Sequence, residues 1–351
     1  MATPLSPSLK EHAAAWKKST TWGTAVAVGA GSGLLITNDG GLQLRRAYQP
    51  LEELDAPVHR GGDLDVNDPV DFSPTFNVRY DPGAAGTLIA SFFGTDVVTT
   101  PGGTTPRLHT LTWADNLRGI HGTFCVERPG KVYEVPSVKV MGLDFTLQNG
   151  RLVATAKLRG DDVKDDSSIN GATQMDAVTA TTPFGDRLRW AEGAVRMNAE
   201  AGPTLIGTTP LVVNSLDISL NRSFDAEHAL GALSLIEPEE NGIEEVTIRL
   251  GFPRFDATNA AYFAVFKAEA YQKMMITFKN PVAIETTYYP EWNFYFPSLK
   301  VIEFIPGPQA GVVPASMTLR GRMTASAPAG MTGFTRPGLT IQNTVTTSYL
   351  A

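Results

Sequence analysis

Two stretches of this chain align without a gap: YEVPSVKV at 133–140 and FYFPSLKV at 294–301. When the alignment is extended to 133–160 against 294–321, ten of the 28 residue pairs are identical. About two identities are expected by chance from average residue usage. Repeats of this kind arise when one structural unit occurs more than once in a chain. The sequence therefore predicts two copies of one domain in tandem.

Working outward from the repeat, apolar and polar residues alternate with the period of two that is typical of half-buried strands. Three such runs place apolar residues on one face: Leu152, Ala154, Ala156 and Leu158; Leu216, Ile218 and Leu220; Val246, Ile248, Leu250 and Phe252. The 33 Gly and 24 Pro residues add frequent turns. These features predict a mainly β protein with a minor α+β component.

Two stretches have helical spacing instead. Pro82–Phe93 begins with a proline suited to a first turn and is followed by Gly94, which is suited to a helix end. Asn259–Met274 has the same spacing, with Asn259 as a candidate N-cap. We expect one helix in each half of the chain.

The predicted organisation has two tandem domains, one linker or long loop between them, and one arm at each end. The polar run that begins at Asp161 predicts a solvated linker or long loop between the copies. The predicted boundaries are: 1–33 N-terminal arm, 34–165 first domain, 166–182 linker or long loop, 183–335 second domain, and 336–351 C-terminal arm.

Composition excludes several classes of function. The formal net charge is -7, and Lys and Arg are scattered without a basic run, which argues against specific nucleic-acid binding. No apolar stretch has the length of a signal peptide core or a membrane span, so we expect a product that is not secreted by the usual route. The single cysteine, Cys125, lies in a strand-like run and is interpreted as a buried apolar residue and not as a nucleophile.

Motifs that carry chemistry are not found. Gly29–Gly33 resembles a dinucleotide loop, but the third glycine is replaced by Leu34 and a strand follows, so we interpret it as a flexible loop. The five His residues are dispersed, and the acidic run 161–166 lacks the ligand order of a calcium loop. No Gly-x-Ser-x-Gly elbow is present. We therefore predict no catalytic, cofactor-binding or metal-binding residue and no enzyme activity.

An aromatic cluster leaves one binding function open. The cluster comprises Tyr288, Tyr289, Trp292, Phe294, Tyr295 and Phe296. Such a set could stack on sugar rings, in which case the chain would be a carbohydrate-binding β-sandwich module of a virion or surface protein that uses Trp292. The matching positions of the first half are mostly not aromatic, which favours packing or a subunit contact.

Three stretches follow one another in a recognisable order: TTWGTAV at 20–26, the run from Phe76 to Thr95, and the run from Val135 to Gly160. Together they resemble the phage tail tube protein family, the major tail proteins of long non-contractile-tailed phages. None is a strict signature, so the resemblance rests on their combination over most of the chain.

The resemblance implies β-sandwich or barrel-like domains, each with one flanking helix, that join into stacked rings around a channel for DNA. A duplicated chain implies a homotrimer with pseudo-sixfold symmetry, with a hexamer as the second possibility. A lumen lined by polar or acidic residues is expected, because like charges would let DNA pass. The strand pattern leaves open which residues line the lumen, since either face could point inward.

The same resemblance implies a virion tail location after synthesis in the bacterial host cytoplasm. The implied partners are tape measure, terminator and baseplate proteins. The resemblance implies no contact with a membrane and no cofactor. Gly23–Gly33 and Pro337–Ala351 are expected to be arms that become ordered on contact with the next ring. A tail terminator or baseplate ring protein is the alternative within the same class.

Overall fold

The computed structural model describes residues 14–49, 63–128, 130–165, 167–181, 185–206, 208–255, 257–306 and 315–351. Within these ranges the chain is mainly β, as the sequence predicts. The strands are β1 (Ala14–Ser19), β2 (Gly33–Leu34), β3 (Ile36–Asn38), β4 (Arg46–Gln49), β5 (Asp63–Asn67), β6 (Val70–Phe72), β7 (Thr75–Asn77), β8 (Val97–Thr99), β9 (Arg107–Thr112), β10 (His121–Arg128), β11 (Lys131–Gln148), β12 (Arg151–Gly160), β13 (Lys164–Asp165), β14 (Gly193–Ala199), β15 (Ser215–Asn221), β16 (Glu245–Phe252), β17 (Tyr271–Lys279), β18 (Glu291–Pro306), β19 (Ala315–Arg322) and β20 (Gly338–Asn343). The helices are α1 (Ala84–Phe93), α2 (Ala172–Thr181) and α3 (Ala257–Lys267).

The chain is organised around two antiparallel arrangements of six hydrogen-bonded strands, which we call the first and the second ladder. The first runs in the order β1, β10, β11, β12, β7, β3. The second runs in the order β14, β17, β18, β19, β16, β15. The ladders are joined where β15 pairs with β11. β20 pairs with β18 and with β9, and β9 pairs with β8. β4 and β5 form a separate hairpin.

The two ladders also share their irregularities. In the β10–β11 pair, a bulge lies between the two β10 residues that face Val138 and Val135. In the β17–β18 pair, a bulge lies between the two β17 residues that face Leu299 and Phe296. These positions correspond in the sequence alignment of the repeat. The β11–β12 and β18–β19 pairs contain a second matched bulge, after Val140 and after Val301. Bulges fix strand register, so the two halves of the repeat have the same local backbone pattern.

The predicted strands are confirmed, and their apolar residues enter one continuous core. Leu158, Ile218 and Ile248 are among the buried residues of this cluster, which draws side chains from both ladders. Alternation is clearest in β15, where every second residue from Leu216 to Leu220 is buried. Sheet strands with one face on a core require this period of two.

The two predicted helices are present, and the second is shorter than expected. α1 ends at Gly94, which adopts a left-handed conformation with φ 87° and donates its N–H to the carbonyl of Ala90. α3 ends at Lys267, because the chain from Tyr271 onward enters β17 and pairs with β14 and β18. Sheet pairing therefore overrides the helical spacing of residues 271–274.

In addition to the two predicted helices, α2 forms a third helix within the predicted linker or long loop at 166–182. Met175 and Val178 of α2 are buried, and they pack in a small cluster with Ala15, Cys125 and Val132. The helical signal is weak in the sequence because, among the side chains of α2 that the structure describes, Met175 and Val178 are the only buried ones.

Where the structure describes them, the two predicted terminal arms are folded against the rest of the chain. At the N-terminal end, β1 pairs with β10 and Trp16 is buried, while residues 1–13 lie outside the described ranges. At the C-terminal end, β20 is hydrogen-bonded between β18 and β9. Tyr349 then stacks on His109 with ring centroids 4.3 Å apart, and its backbone N–H donates to Asp96.

In the described ranges, no helix combines the length and apolar character needed to cross a lipid bilayer.

We predict that Tyr349→Ala lowers the free energy of unfolding by about 3 kcal/mol, because a buried aromatic ring is removed. Tyr349→Phe is the matched control: it keeps the ring and loses only the hydrogen bond that Asn343 donates to the hydroxyl, which is worth about 1 kcal/mol. Urea titration of both variants measures the difference. A Tyr349→Ala variant as stable as the wild type would show that the C-terminal segment is not docked.

Candidate assembly interface

The pairing of β11 with β15 is the joint between the two ladders. Five residue pairs run from Gly142 opposite Asn221 to Thr146 opposite Asp217, all antiparallel. Just beyond this ladder, the N–H of Arg222 donates to the carbonyl of Met141 at 2.7 Å. The two ladders thus form a continuous hydrogen-bonded sheet across the middle of the chain.

The length of β11 makes the joint possible. β10 pairs with β11 only as far as Val138, so the same edge of β11 is open beyond that point and receives β15. Gly142 permits the close approach. A Cβ at this position would lie 2.7 Å from Asn221 Oδ1 and 3.0 Å from the carbonyl of Leu220.

The two faces of the joint differ in chemistry. Leu143, Phe145, Ile218 and Leu220 are buried on one face, and the ring of Phe145 lies 5.1 Å from that of Phe294 in an edge-to-face contact. Each fully buried side chain of this size contributes about 1.5–3 kcal/mol of apolar transfer free energy.

The other face carries a polar network around Asp144. The carboxylate of Asp144 lies 2.8 Å from the ammonium of Lys157 and accepts a 2.6 Å hydrogen bond from the hydroxyl of Ser219. Lys157 also donates to Asn221 at 2.8 Å. Because Ser219 and Asn221 belong to β15, this network crosses the joint and fixes its register.

After β15, the segment 222–244 folds back over the first ladder with bridges between Phe224 and Glu240 and between His228 and Leu235. We call it the second-half hairpin. Its first residue, Arg222, has a fully buried side chain. The guanidinium lies 4.5 Å from the ring centre of Trp113 and donates to Glu240 at 2.6 Å. Burial lowers the pKa of Arg222, and the bond and charge of Glu240 oppose that shift.

A second ionic contact lies farther along the hairpin. Glu237 accepts hydrogen bonds from the buried ammonium of Lys139 at 2.7 Å and from the N–H of Gly119 at 2.6 Å. Burial lowers the pKa of Lys139. Burial acts to raise the pKa of Glu237, but the two hydrogen bonds and the nearby charges of Lys139 and His121 outweigh it and leave that pKa below its usual value. The hairpin is therefore held to the first ladder by the ion pair between Glu237 and the buried Lys139.

The residues considered for chemistry do not come together. Cys125 is fully buried, and burial raises the pKa of its thiol. His109 pairs with Asp96 at 3.1 Å beneath the C-terminal segment. Gly29–Gly33 leads into β2 and not into a helix. Within the described ranges there is no group of three or more His, Cys, Asp or Glu residues placed to hold a metal ion.

One residue of the predicted solvated run behaves differently. Asp161 is buried, and its carboxylate accepts a hydrogen bond from the N–H of Ser137 at 3.0 Å. Burial raises the pKa of Asp161 to about 6. Asp165 is exposed and pairs with Lys131, whereas Asp166 lies outside the described residues.

The aromatic cluster does not form an exposed platform. Trp292, Phe294 and Phe296 are each at most 1% exposed, and they alternate along β18 toward the core. Their side chains cannot stack on a sugar ring without unfolding of the sheet. The cluster is a packing feature of the second ladder.

Comparison with known proteins assigns the chain to a family. The family model described as phage tail tube protein matches residues 11–311, which is most of the chain. The chain belongs to the phage tail tube protein family. This family is structural, and the assignment places the chain in the virion tail.

A solved structure with some likeness to this tail tube family member is a cryo-EM structure of the anti-feeding prophage (AFP) baseplate, 6-fold symmetrised. The match has 13% identity and a TM-score of 0.26, and it covers 40% of this chain and 93% of the other. A comparison with curated proteins finds no match.

Sequence reasoning missed the joint and the hairpin contacts. Lys139 lies within the repeat, yet its partner Glu237 is far along the chain in a segment without strand periodicity. The only available signal was the acidic run at 237–240, which falls opposite a lysine buried in a strand.

We predict a coupling energy of about 2 kcal/mol between Lys139 and Glu237 in the free energy of unfolding. Removal of either side chain leaves the charge of its partner buried without a counter-charge. A double-mutant cycle with Lys139→Met and Glu237→Gln, followed by urea unfolding, measures the coupling. The control cycle uses Lys131→Met and Asp165→Asn, an exposed pair that should couple more weakly. Equal coupling in the two cycles would contradict a buried pair at 139 and 237.

Proposed function

We propose that the chain is a duplicated major tail tube subunit, in which two copies of one domain lie in tandem. The observation that carries this proposal is the agreement between the two ladders, which share strand order, antiparallel pairing and both bulge positions. Agreement at bulges is a demanding criterion, because a shift of one residue would reverse the face of every side chain.

Three such chains would form a ring of six domains. The joint between β11 and β15 connects two domains edge to edge within a chain. Open strand edges favour association with further strands, and a closed circle removes them. With two domains per chain, closure at six domains gives a homotrimer with pseudo-sixfold symmetry.

Rings of this kind would stack head to tail, since heterologous contacts between unlike faces produce an open-ended filament. The channel would carry DNA during genome delivery. The net charge of -7 suits that role, because like charges along the lumen let DNA slide without adhering. The proposal assigns no catalytic residue, metal or cofactor.

The proposed setting is the tail of a virion, with the subunit made in the bacterial host cytoplasm. Tape measure, terminator and baseplate proteins are the proposed neighbours. The carbohydrate-binding alternative has no support from the geometry, because Trp292 is buried.

Electron microscopy of the purified protein with symmetry analysis tests the proposal. We expect stacked rings, each with a mass three times the chain mass of 37.7 kDa. Mass measurement of single rings provides the chain count independently of image symmetry. Six chains per ring would contradict the duplicated subunit, rings that never stack would indicate a terminator or baseplate ring protein, and monomers at high concentration would contradict assembly altogether.

A further inference from the structure

Four arginine side chains lie together at one end of the first ladder. They are Arg79, Arg151, Arg187 and Arg189, and we call them the arginine cluster. Segment 186–190 is hydrogen-bonded there both to the start of β12 and to the chain that continues β7. The residues that alternate with the arginines are Val78, Leu152 and Leu188, and all three are buried. Successive side chains of an extended chain point to opposite faces, so the four arginines share the face that is turned away from the core.

The arginine cluster consists of two cross-strand pairs of like charge. Arg79 lies opposite Arg187, and Arg151 lies opposite Arg189. Both are non-hydrogen-bonded pairs, because the backbone hydrogen bonds join the residues on either side of them. In such pairs the Cα atoms are about 4.5 Å apart, and the side chains are closer than in hydrogen-bonded pairs. Like charges directly opposite each other destabilise a sheet, so each pair lowers the stability of the fold.

The charges of the cluster are poorly compensated. Three of the four arginines form no ion pair with a described residue, and the exception is Arg189, which pairs with Glu192 at 3.0 Å. The Nε of Arg79 is shielded from solvent and has no hydrogen-bond partner among the described residues. Burial lowers the pKa of Arg79, the charge of Arg187 lowers it further, and the charge of Asp186 opposes both. The cluster therefore contains guanidinium donors without acceptors.

The cluster is a feature of the first half of the chain. Thr75 and Gly251 hold equivalent places, because their partners on β12 and β19 align in the repeat. Arg79 follows Thr75 at the same distance as Phe255 follows Gly251, so Arg79 corresponds to Phe255, which is 40% exposed. An apolar side chain at the equivalent place shows that the repeated fold does not require a cation there. The charge belongs to this surface and not to the shared ladder.

The surroundings of the cluster favour carboxylates as its ligands. Guanidinium groups bind carboxylates and phosphates through paired N–H donors, and Glu192 already binds Arg189 in this way. Asp81 lies beside Gly185, and Asp186 lies within the segment that carries two of the arginines. These carboxylates and the net charge of -7 would repel the closely spaced phosphates of a nucleic acid laid across the cluster. Side-chain carboxylates of a protein can instead enter one at a time.

We propose that the arginine cluster binds a carboxylate-rich segment of a partner protein. Each guanidinium that lacks an ion pair then receives a carboxylate, and negative charge separates the arginines that face each other. Binding removes the repulsion within both pairs, so the occupied site is more stable than the empty one. The site does not depend on the number of chains in the proposed ring, and a ring of three chains would present it three times.

Fluorescence anisotropy with a labelled oligoglutamate peptide tests the site at low ionic strength, because salt screens exposed charges. The variant Arg151→Gln with Arg187→Gln removes one cation from each like-charge pair. We expect its affinity for the peptide to be about tenfold lower than that of the wild type, since two charge-assisted contacts are lost. We also expect its urea midpoint to be higher than that of the wild type, because both repulsive pairs are relieved.

The control variant is Arg118→Gln with Arg320→Gln, which changes the net charge equally. It removes two exposed cations that already have carboxylate partners, Glu239 and Glu245, so we expect a much smaller loss of affinity. Equal losses in the two variants, or a wild type that does not bind the peptide, would overturn the proposed site. A lower urea midpoint for the cluster variant would show that these arginines serve the fold, which also overturns it. Tighter binding of a DNA duplex than of the peptide would contradict recognition of carboxylates.

Discussion

The hydrogen-bonded ladder between β11 and β15 is the constraint on which the rest of the structure depends. It converts two six-strand ladders into one sheet, and it does so with main-chain bonds whose partners are fixed by register. Gly142 is the local condition for that approach, since a side chain there would meet the backbone of Leu220. A strand edge buried in this way has its polar backbone groups satisfied, which makes the joint both stable and specific.

Buried charges reinforce this joint from the hairpin that follows it. Arg222 and Glu240 form one pair, and Lys139 and Glu237 form another. Burial of such charges costs free energy, and removal of one partner leaves the other uncompensated and strongly destabilises the fold. The second ladder has Lys300 at the position of Lys139, where it is partly exposed and pairs with Glu269. The two halves thus share strand order and bulge positions, and among the described residues the first ladder is the one that contacts a hairpin from the other half.

Local patterns in the sequence predicted much of the fold. The repeat and the alternation in β12, β15 and β16 identified strands that the structure contains, and Pro82 and Gly94 framed α1. The sequence did not show the joint, because pairing between distant strands leaves no local periodicity. Asp144 and Ser219, which are hydrogen-bonded across the joint, are 75 residues apart in the chain. It also missed α2, where Met175 and Val178 are the buried residues among the described side chains. The burial of Asp161 was missed as well, because a charged residue in a polar run suggested exposure to solvent.

The chain belongs to the tail tube family, and in the ring that we propose for it, pairing of strand edges is the means of assembly. Hydrogen exchange of the isolated chain tests its foundation most directly. If the joint exists within one chain, the amides of Leu143 and Phe145 in β11 and of Ile218 and Leu220 in β15 exchange as slowly as those of the central strands. Rapid exchange at these four amides, as in an open strand edge, would contradict the account.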